Sequence, residues 1–233
     1  MINLIANWPA PPNVHALTTT CEQGNLALHV GDDEIQVLTR RKNLRQNLNL
    51  INEPHWLNQT HSTRCITIEE DDFRDADAAI TRTPEQPLII MTADCLPILL
   101  CDQQGQEIAA IHAGWRGLLN GIIENTLKQM KSKSLFAWIG PAICGQCFEV
   151  GDEVEQQFTD KYQFTRSAFR TLQNKKHADL SLIAELILNQ HSVSNVTQSN
   201  SCTFEGINKY YSYRRTPQTG RIATLIWFNK DPT

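Results

Sequence analysis

The chain has 233 residues, of which 41% are hydrophobic and 20% charged, as is usual for a globular protein. Its formal net charge of −4 gives no basic excess, which argues against nucleic acid or an anionic membrane surface as the partner and favours small molecules. No apolar run is long enough to span a bilayer, and the apolar stretch within the first nine residues lacks a basic leader, so we expect neither a signal peptide nor a membrane anchor.

The first half of the chain predicts one helix among several short strands. Residues 25–30 alternate like a half-buried strand and end in turn-forming residues at 31–33. A polar stretch with apolar residues on one side predicts a helix from Glu34 to about Leu48. Further strands are predicted at 55–59, 64–69, 88–92, 96–101 and 107–112, and together they indicate a mixed, largely buried central sheet.

The second half of the chain is richer in helices. An amphipathic pattern predicts a helix from Leu118 to Met130 despite Gly121, and this helix is expected to pack on the sheet. A strand at 135–139, helices at 152–158 and 180–188, and a final strand at 221–228 complete the pattern, with Asp179 or Ser181 near the cap of the last helix. Neither an internal repeat nor a linker is present, so residues 1–233 are expected to form a single α/β (α+β) domain.

Three side chains that are able to bind a metal lie beside predicted strands. His61 follows the strand at 55–59, Cys95 separates two strands, and His112 ends the strand at 107–112. Each one alone is more typical of a hydrogen-bonded histidine or a small buried cysteine, but the ends of strands are where α/β proteins gather reactive groups. Two imidazoles and a thiolate suit zinc, and a three-ligand site keeps one position open, as catalytic zinc sites do.

The segment Cys144-Gly145-Gln146-Cys147 forms a C-x-x-C pattern. This pattern occurs in redox pairs and in halves of structural zinc sites, but no second C-x-x-C is present to complete four ligands. The flanking residues predict a tight loop after a strand, so we favour two ordinary loop thiols over a dithiol switch. Seven cysteines without an export signal also favour a reducing compartment, so we expect a cytoplasmic protein.

Two cationic segments are candidates for binding an anion or a base. Arg116 lies in a small-residue loop that opens a predicted helix, where exposed amides already favour negative charge, although a surface arginine paired with a carboxylate has the same pattern. Residues 210–215 combine three tyrosines with Arg214 and Arg215, which suits a planar base or a phosphate and equally suits the end of an edge strand.

Motifs spread along nearly the whole chain resemble those of the YfiH-like proteins, a family labelled as laccase-domain or multicopper polyphenol oxidases and regarded as purine nucleoside phosphorylases. The motifs are Gly24-Asn25-Leu26, His29-Val30-Gly31-Asp32, Trp56-Leu57-Asn58-Gln59-Thr60-His61, Ala76-Asp77-Ala78, Thr92-Ala93-Asp94-Cys95-Leu96-Pro97, His112-Ala113-Gly114-Trp115-Arg116-Gly117, Gly140-Pro141, Glu149-Val150-Gly151, Ser212-Tyr213-Arg214-Arg215 and Thr219-Gly220-Arg221. In this order they form a highly specific set.

The resemblance implies a single three-layer α/β/α-like domain and a zinc ion held by the residues that match His61, Cys95 and His112. It also makes Arg41 a plausible substrate contact. Thr60 and Ser62 depart from the valine and glycine that are usual in the family, and neither change removes a ligand. Cys147 stands where the family does not require cysteine, which weakens a catalytic role for the C-x-x-C pattern.

The laccase label can be tested against the histidines of the chain. A multicopper oxidase needs many imidazoles, including His-x-His pairs, together with a blue-copper set. The chain has seven histidines and no His-x-His pair, so we expect no multicopper cluster. Copper binding in vitro is still expected, because Cu(II) outcompetes zinc at most nitrogen and sulfur sites.

The resemblance implies phosphorolysis of adenosine, inosine and methylthioadenosine to the free base and ribose 1-phosphate, with an accompanying adenosine deaminase activity. The catalytic candidates are Cys95, His112 and Arg116, and the substrate-binding candidates are Asn25, Arg41, Asp94 and Arg116. Arg116, assisted by Arg41, is expected to hold phosphate. The signature of zinc nucleobase deaminases, H-x-E with P-C-x-x-C, is absent, so any deamination would use a different scaffold.

Two other classes of function remain open. Cys95 and His112 would suit the nucleophile and base of a cysteine hydrolase that acts on an amide, such as one that edits peptidoglycan precursors. A purine-binding module without turnover is the non-enzymatic reading. Asp77 and Asp94 are candidates for a general acid or base, although such residues more often anchor hydrogen bonds. The expected partners are a nucleoside and phosphate, and the chain is expected to be a monomer or a homodimer.

Overall fold

The computed structural model describes residues 3–71 and 73–230, and these residues form three sheets and five α-helices. The strands are β1 (Leu4–Ile5), β2 (Val14–Thr18), β3 (Cys65–Thr67), β4 (Ala78–Thr81), β5 (Leu88–Thr92), β6 (Leu96–Asp102), β7 (Ile108–Ala113), β8 (Leu135–Ile139), β9 (Glu149–Val150), β10 (Phe169–Leu172), β11 (Lys175–Ala178), β12 (Asn195–Gln198) and β13 (Ile222–Phe228). The helices are α1 (Glu34–Asn47), α2 (Trp115–Asn120), α3 (Ile122–Gln129), α4 (Asp152–Lys161) and α5 (Leu180–Gln190), with 3₁₀ turns at Cys21–Gln23 and Gln163–Ala168.

The largest sheet is mixed and has six strands in the order β12-β8-β6-β7-β4-β3. Its two outer pairs, β12 with β8 and β3 with β4, are parallel, and the inner pairs are antiparallel. A second, antiparallel sheet has the order β1-β2-β13-β5. The third sheet is small and antiparallel, with the order β10-β11-β9.

The two larger sheets pack face to face, with helices on their outer sides. Alternate residues of β6 show this: Ile98 and Leu100 pack in one core with α3 and α5, whereas Leu99 packs in another core with Ile90 of β5 and Ile226 of β13. The helix α1 covers the far side of the second sheet. Since both faces of β5 to β8 are covered, these strands are almost wholly apolar and buried.

The predicted α/β class with a mixed sheet is confirmed, and so are most of the strongly patterned elements. The strands at 88–92 and 135–139 have the predicted bounds. The helix α1 begins after an Asp33 side chain that accepts a hydrogen bond from the Gln36 N–H, and α5 begins after Asp179 in the same way. Helices cover both outer sides of the domain, as the predicted α/β/α-like arrangement requires. Between them lie two packed sheets, where the sequence predicted one central sheet.

Three predicted elements are wrong. Residues 25–30 form no strand, because the Asn25 carboxamide folds back onto Ala27 and fixes a turn. Of residues 55–59, only His55 makes a bridge, with Leu88. The helix predicted from Leu118 to Met130 begins earlier, at Trp115, and is split into α2 and α3 at Gly121, which has φ 103°.

Among the described residues, no helix has the length and apolar character that crossing a bilayer requires. The expectation of no signal peptide or anchor rests partly on Met1 and Ile2, which lie outside the described residues.

Candidate metal centre and cavity

The structure brings the three predicted metal ligands together. Cys95 lies in the short connection between β5 and β6, His112 lies near the end of β7, and His61 lies in the long loop between α1 and β3. Their ligand atoms are all within 4.8 Å of one another, and Cys95 Sγ is 3.6 Å from His61 Nε2. Cys95 and His112 are brought together by the pairing of β6 with β7, in which Leu96 lies opposite Ala113. His61 reaches them from a loop whose position depends on Asp77.

Asp77 is fully buried and organises both histidines. One carboxylate oxygen accepts a hydrogen bond from His112 Nδ1 at 2.7 Å, which directs the other ring nitrogen of His112 towards the site. The same carboxylate accepts the backbone N–H groups of Thr60, His61 and Ser62, at 3.2, 3.0 and 2.6 Å. His61 is held there with φ 61°, a left-handed conformation that is uncommon for histidine. Asp77 was a sequence candidate for an acid or base, and the structure places it behind the ligands, where it orients them.

Gly114 provides the space that the three ligands need. A Cβ atom at this position would lie 3.0 Å from His61 Cδ2 and 3.2 Å from Cys95 Sγ. A larger residue would therefore push His61 and Cys95 away from His112. The motif His112-Ala113-Gly114 thus supplies one ligand together with the gap in which the other two ligands sit.

Cys95 and His112 change each other's protonation. Burial would raise the pKa of Cys95, but the charge of His112 and hydrogen bonds with both histidines outweigh it and lower this pKa to about 6. Burial would lower the pKa of His112, but the Cys95 thiolate and the hydrogen bond to Asp77 raise it to about 9. In the absence of a metal, a thiolate facing an imidazolium is therefore favoured at neutral pH. A thiolate is also the form in which cysteine binds zinc.

Asp94 precedes Cys95 and ties its loop to the C-terminal part of the chain. It has φ 91°, is 8% exposed, and accepts hydrogen bonds from Thr203 Oγ1 at 2.6 Å, Ser212 Oγ at 2.9 Å and the Arg214 N–H at 2.6 Å. The Asp94 carbonyl also accepts the Ile143 N–H. Asp94 was predicted to contact substrate, and although it borders the cavity, its carboxylate is occupied by these three donors.

The three ligands lie in a cavity of about 500 Å³, a size that suits a small molecule. Its walls combine aromatic and cationic side chains with the ligands. The aromatic residues are Trp115, Phe148 and Tyr213, and the cationic residues are Arg116, Arg214 and Arg221. Polar and apolar groups thus converge on the three ligands from several parts of the chain.

The three arginines of the cavity are held differently. Arg214 donates twice to the Glu149 carbonyl and lies over the Phe148 ring, and Arg221 donates to the Thr219 and Gly220 carbonyls. Arg116 is exposed and stacks on Trp115, with its Cζ 4.3 Å from the ring centroid, and within the described chain it makes neither an ion pair nor a hydrogen bond. Its guanidinium is therefore the most available for an anionic ligand. Arg221 was not predicted as a site residue, and its place in the motif Thr219-Gly220-Arg221 was the only sequence feature that indicated it.

Asn25 and Arg41, which were predicted to contact substrate, are not among the residues that line this cavity. The Asn25 side chain is buried, bonding to Ala27, Asp32 and the Arg221 N–H. Arg41 donates to the Leu26 carbonyl and lies 3.7 Å from the centre of the Trp56 ring, and burial lowers its pKa to about 10. Both residues support the loop at 24–31, which brings His29 to the cavity.

Comparison with known proteins supports the resemblance seen in the motifs. Residues 16–229 match a family described as multi-copper polyphenol oxidoreductase laccase. A Haemophilus influenzae protein named purine nucleoside phosphorylase is 41% identical, over 95% of this chain and 97% of its own length. The Escherichia coli protein named purine nucleoside phosphorylase YfiH is 35% identical, over 96% of this chain and 98% of its own length.

Solved structures show the same fold. The crystal structure of a Neisseria meningitidis protein of the family DUF152 superposes with a TM-score of 0.91 at 38% identity, covering 98% of this chain and 99% of that one. The predicted family and fold are thereby confirmed.

Proposed function

This chain belongs to the laccase-domain family of YfiH-like proteins, and on that premise we propose that it is a zinc-dependent purine nucleoside phosphorylase. The proposed substrates are adenosine, inosine and methylthioadenosine, each of which would yield the free base and ribose 1-phosphate. The observation that carries the proposal is one cavity in which His61, Cys95 and His112 face aromatic rings and an available arginine. Relatives that match almost the whole chain are named purine nucleoside phosphorylase, which supports the class of reaction in this proposal.

The three donors fit zinc by their chemistry and by the space around them. One thiolate and two imidazoles are zinc ligands, and a carboxylate that orients a ligating histidine is the usual partner of such a site. Gly114 leaves the gap between the donors open. Zinc bound to His61, Cys95 and His112 would supply a Lewis acid to an oxygen of phosphate or of water.

The remaining residues of the cavity suit the two halves of a nucleoside phosphorolysis. In that reaction a phosphate oxygen bonds to the ribose carbon C1′ while the bond from C1′ to the base breaks, and the base leaves with the bonding electrons and gains a proton. Arg116, and beside it Arg214 and Arg221, supply positive charge for phosphate. Trp115, Phe148 and Tyr213 offer rings against which a purine can stack.

We also propose that adenosine is deaminated in the same cavity. This activity would convert adenosine and water to inosine and ammonia without phosphate, so the two reactions can be separated by leaving phosphate out. A cytoplasmic location is part of the same proposal, and the free state of all seven cysteines supports it.

A second candidate function has a specific structural basis. The ligand atoms of Cys95 and His112 lie within 4.8 Å of each other, and His112 Nδ1 is hydrogen-bonded to Asp77, so the three side chains follow the order thiol, imidazole, carboxylate that cysteine hydrolases use. The two functions compete for one sulfur, because a thiolate bound to zinc is a poor free nucleophile. The presence of His61 on the same sulfur favours the metal site, since a hydrolase needs only one histidine there.

The experiment for the proposed function is incubation of the purified protein with inosine, with and without phosphate. We expect hypoxanthine and ribose 1-phosphate to appear only when phosphate is present. Arg116→Gln is expected to raise the KM for phosphate by roughly ten- to a hundredfold, the equivalent of losing one charged hydrogen bond.

Arg166→Gln is the matched control for this variant, because Arg166 is also exposed and lies in the 3₁₀ turn at Gln163–Ala168, whose residues do not line the cavity. This control is expected to keep the wild-type KM. Release of hypoxanthine at the same rate without phosphate would refute the phosphorylase assignment.

A further inference from the structure

A second group of thiols lies outside the three-ligand site. Cys144 and Cys147 of the C-x-x-C pattern meet Cys202 and Glu205, which follow them by more than 50 residues in the chain. The three Sγ atoms and a Glu205 carboxylate oxygen are all within 4.8 Å of one another. The C-x-x-C pattern, which lacked further ligands in the sequence, therefore has two in the structure.

We propose that Cys144, Cys147, Cys202 and Glu205 bind a second zinc ion, with a structural role. Four protein ligands close the coordination sphere, as structural zinc sites do. A tetrahedral ion with Zn–S bonds of about 2.3 Å places its sulfur ligands about 3.8 Å apart, which is within the spacing of these thiols. On binding, each thiol releases its proton, and no electron is transferred.

The local backbone is folded as a two-cysteine zinc loop requires. The N–H groups of Cys147 and Phe148 both donate to the Cys144 carbonyl at 3.0 Å, which turns the two thiols to one side. Gly145 makes the turn possible against α5, because a Cβ there would lie 2.8 Å from the Asp179 Cβ. The Cys144 and Cys147 side chains are consequently presented as a pair to the loop that contains Cys202.

Backbone N–H groups are directed at the Cys202 sulfur and oppose the effect of burial, which raises the pKa of this thiol in the metal-free protein. The Cys144 N–H donates to Cys202 Sγ at 3.4 Å, and the backbone of Glu205 also hydrogen-bonds to this sulfur. Backbone N–H groups directed at sulfur stabilise metal-bound thiolates. The Arg215 guanidinium donates to the Thr203 and Phe204 carbonyls, which places a positive charge beside the loop that contains two of the ligands.

This second site would fasten the two loops that support the cavity. Ala142 pairs with Cys202 in a parallel bridge, and the Thr203 N–H donates to the Ala142 carbonyl. Both loops then reach Asp94, through the Ile143 N–H and the Thr203 hydroxyl. An ion shared by Cys144, Cys147 and Cys202 would therefore stabilise the support of the Cys95 loop without taking part in the reaction.

The zinc content of purified protein tests this proposal. The variants are Cys202→Ser, which removes one proposed ligand, and Cys95→Ser, which removes a ligand of the first site. Cys21→Ser is the control, since Cys21 belongs to neither group. We expect Cys202→Ser to hold one zinc per chain less than wild type, Cys21→Ser to equal wild type, and Cys95→Ser to keep the second ion. A wild-type zinc content in Cys202→Ser would overturn the proposal.

Cobalt substitution of the wild-type protein tests the same site without a variant, so it still applies if Cys202→Ser fails to fold. Charge-transfer absorption from sulfur to Co(II) grows with the number of thiolate ligands, so we expect an intensity that requires three thiolates on one ion. In zinc-loaded protein, Cys144, Cys147 and Cys202 are expected to resist a thiol reagent until a chelator is added. A Co(II) charge-transfer intensity that a single thiolate explains would contradict the zinc site. Immediate reaction of Cys144, Cys147 and Cys202 with the thiol reagent would contradict it as well. Since Cys95→Ser should keep the second ion, failure here is distinguishable from failure of the proposed enzymatic function.

Discussion

Asp77 contacts both histidines of the metal centre without lining the cavity. It accepts five hydrogen bonds, from three consecutive backbone N–H groups, the Ser62 hydroxyl and His112 Nδ1. A buried carboxylate with this many donors is stabilised in its ionised form, and its pKa is lowered although burial alone would raise it. The positions of two proposed ligands, His61 and His112, therefore depend on one residue that does not line the cavity.

Replacing Asp77 with Asn is expected to weaken zinc binding at the first site by roughly ten- to a hundredfold. The amide cannot accept all five hydrogen bonds, and its own NH₂ group would face other donors, so we also expect a loss of about 2–4 kcal/mol in the free energy of unfolding. Competition with a chromophoric chelator in a Cys202→Ser background, together with urea unfolding, measures both effects.

Asp75→Asn is the matched control, because Asp75 is exposed and, among the residues that the structure describes, its side chain bonds to Asn58 Nδ2 alone. It is expected to keep wild-type zinc affinity and stability. If Asp77→Asn folds and binds zinc as tightly as Asp75→Asn, Asp77 does not position the ligands.

The loop between β5 and β6 links the metal centre to the cavity wall. Cys95 enters the centre from this loop, and the neighbouring Asp94 side chain holds the segment at 203–214, which includes Tyr213 and Arg214 of the cavity. The six-residue α2 contributes Trp115 and Arg116 to the same cavity. The break at Gly121 keeps α2 short, so its dipole adds little and the charge of Arg116 is the main attraction for an anion there.

Asp94→Asn is therefore expected to raise the KM for nucleoside while also destabilising the fold by about 1–3 kcal/mol. Asparagine tolerates the left-handed backbone at this position but supplies fewer acceptors for the three donors. Steady-state kinetics with inosine and thermal unfolding separate the two effects.

The control for this loop is Asp102→Asn. Asp102 is also buried and accepts two backbone N–H groups, but it is the last residue of β6 and does not line the cavity. Both variants should lose stability, and only Asp94→Asn should change KM. An unchanged KM in Asp94→Asn would show that the segment at 203–214 is held by other contacts.

At the scale of the whole molecule, the sequence predicted the buried strands better than their arrangement. The strands at 88–92 and 135–139 are continuous apolar runs that are covered on both faces, so composition alone delimits them. The second sheet pairs β13 with β2 and β5, and such pairing across the length of the chain has no local signal. The strands β1, β2, β4, β9 and β12 and the hairpin of β10 with β11 were missed, because each is short and several are partly polar.

For the site, as for the fold, the sequence predicted some of the residues but not all of the contacts between them. His61, Cys95 and His112 have ligand chemistry and stand in motifs, and the fold brings them together. Cys202 completes a second group only through a contact made across more than 50 residues, which spacing cannot indicate. Asn25 and Arg41 fasten a loop beside the cavity, and their contact with substrate stays a prediction, because a motif does not distinguish support from contact.

We propose that His61, Cys95 and His112 hold a zinc ion on which cleavage of nucleosides by phosphate depends. The rate of phosphate-dependent inosine cleavage, in protein stripped of metal and then titrated with zinc, tests this dependence. We predict that the rate falls to background on stripping and returns as zinc is added, whereas His61→Ala stays inactive at the same zinc concentrations. Full activity in the metal-free protein would contradict the claim and would favour Cys95 as a free nucleophile.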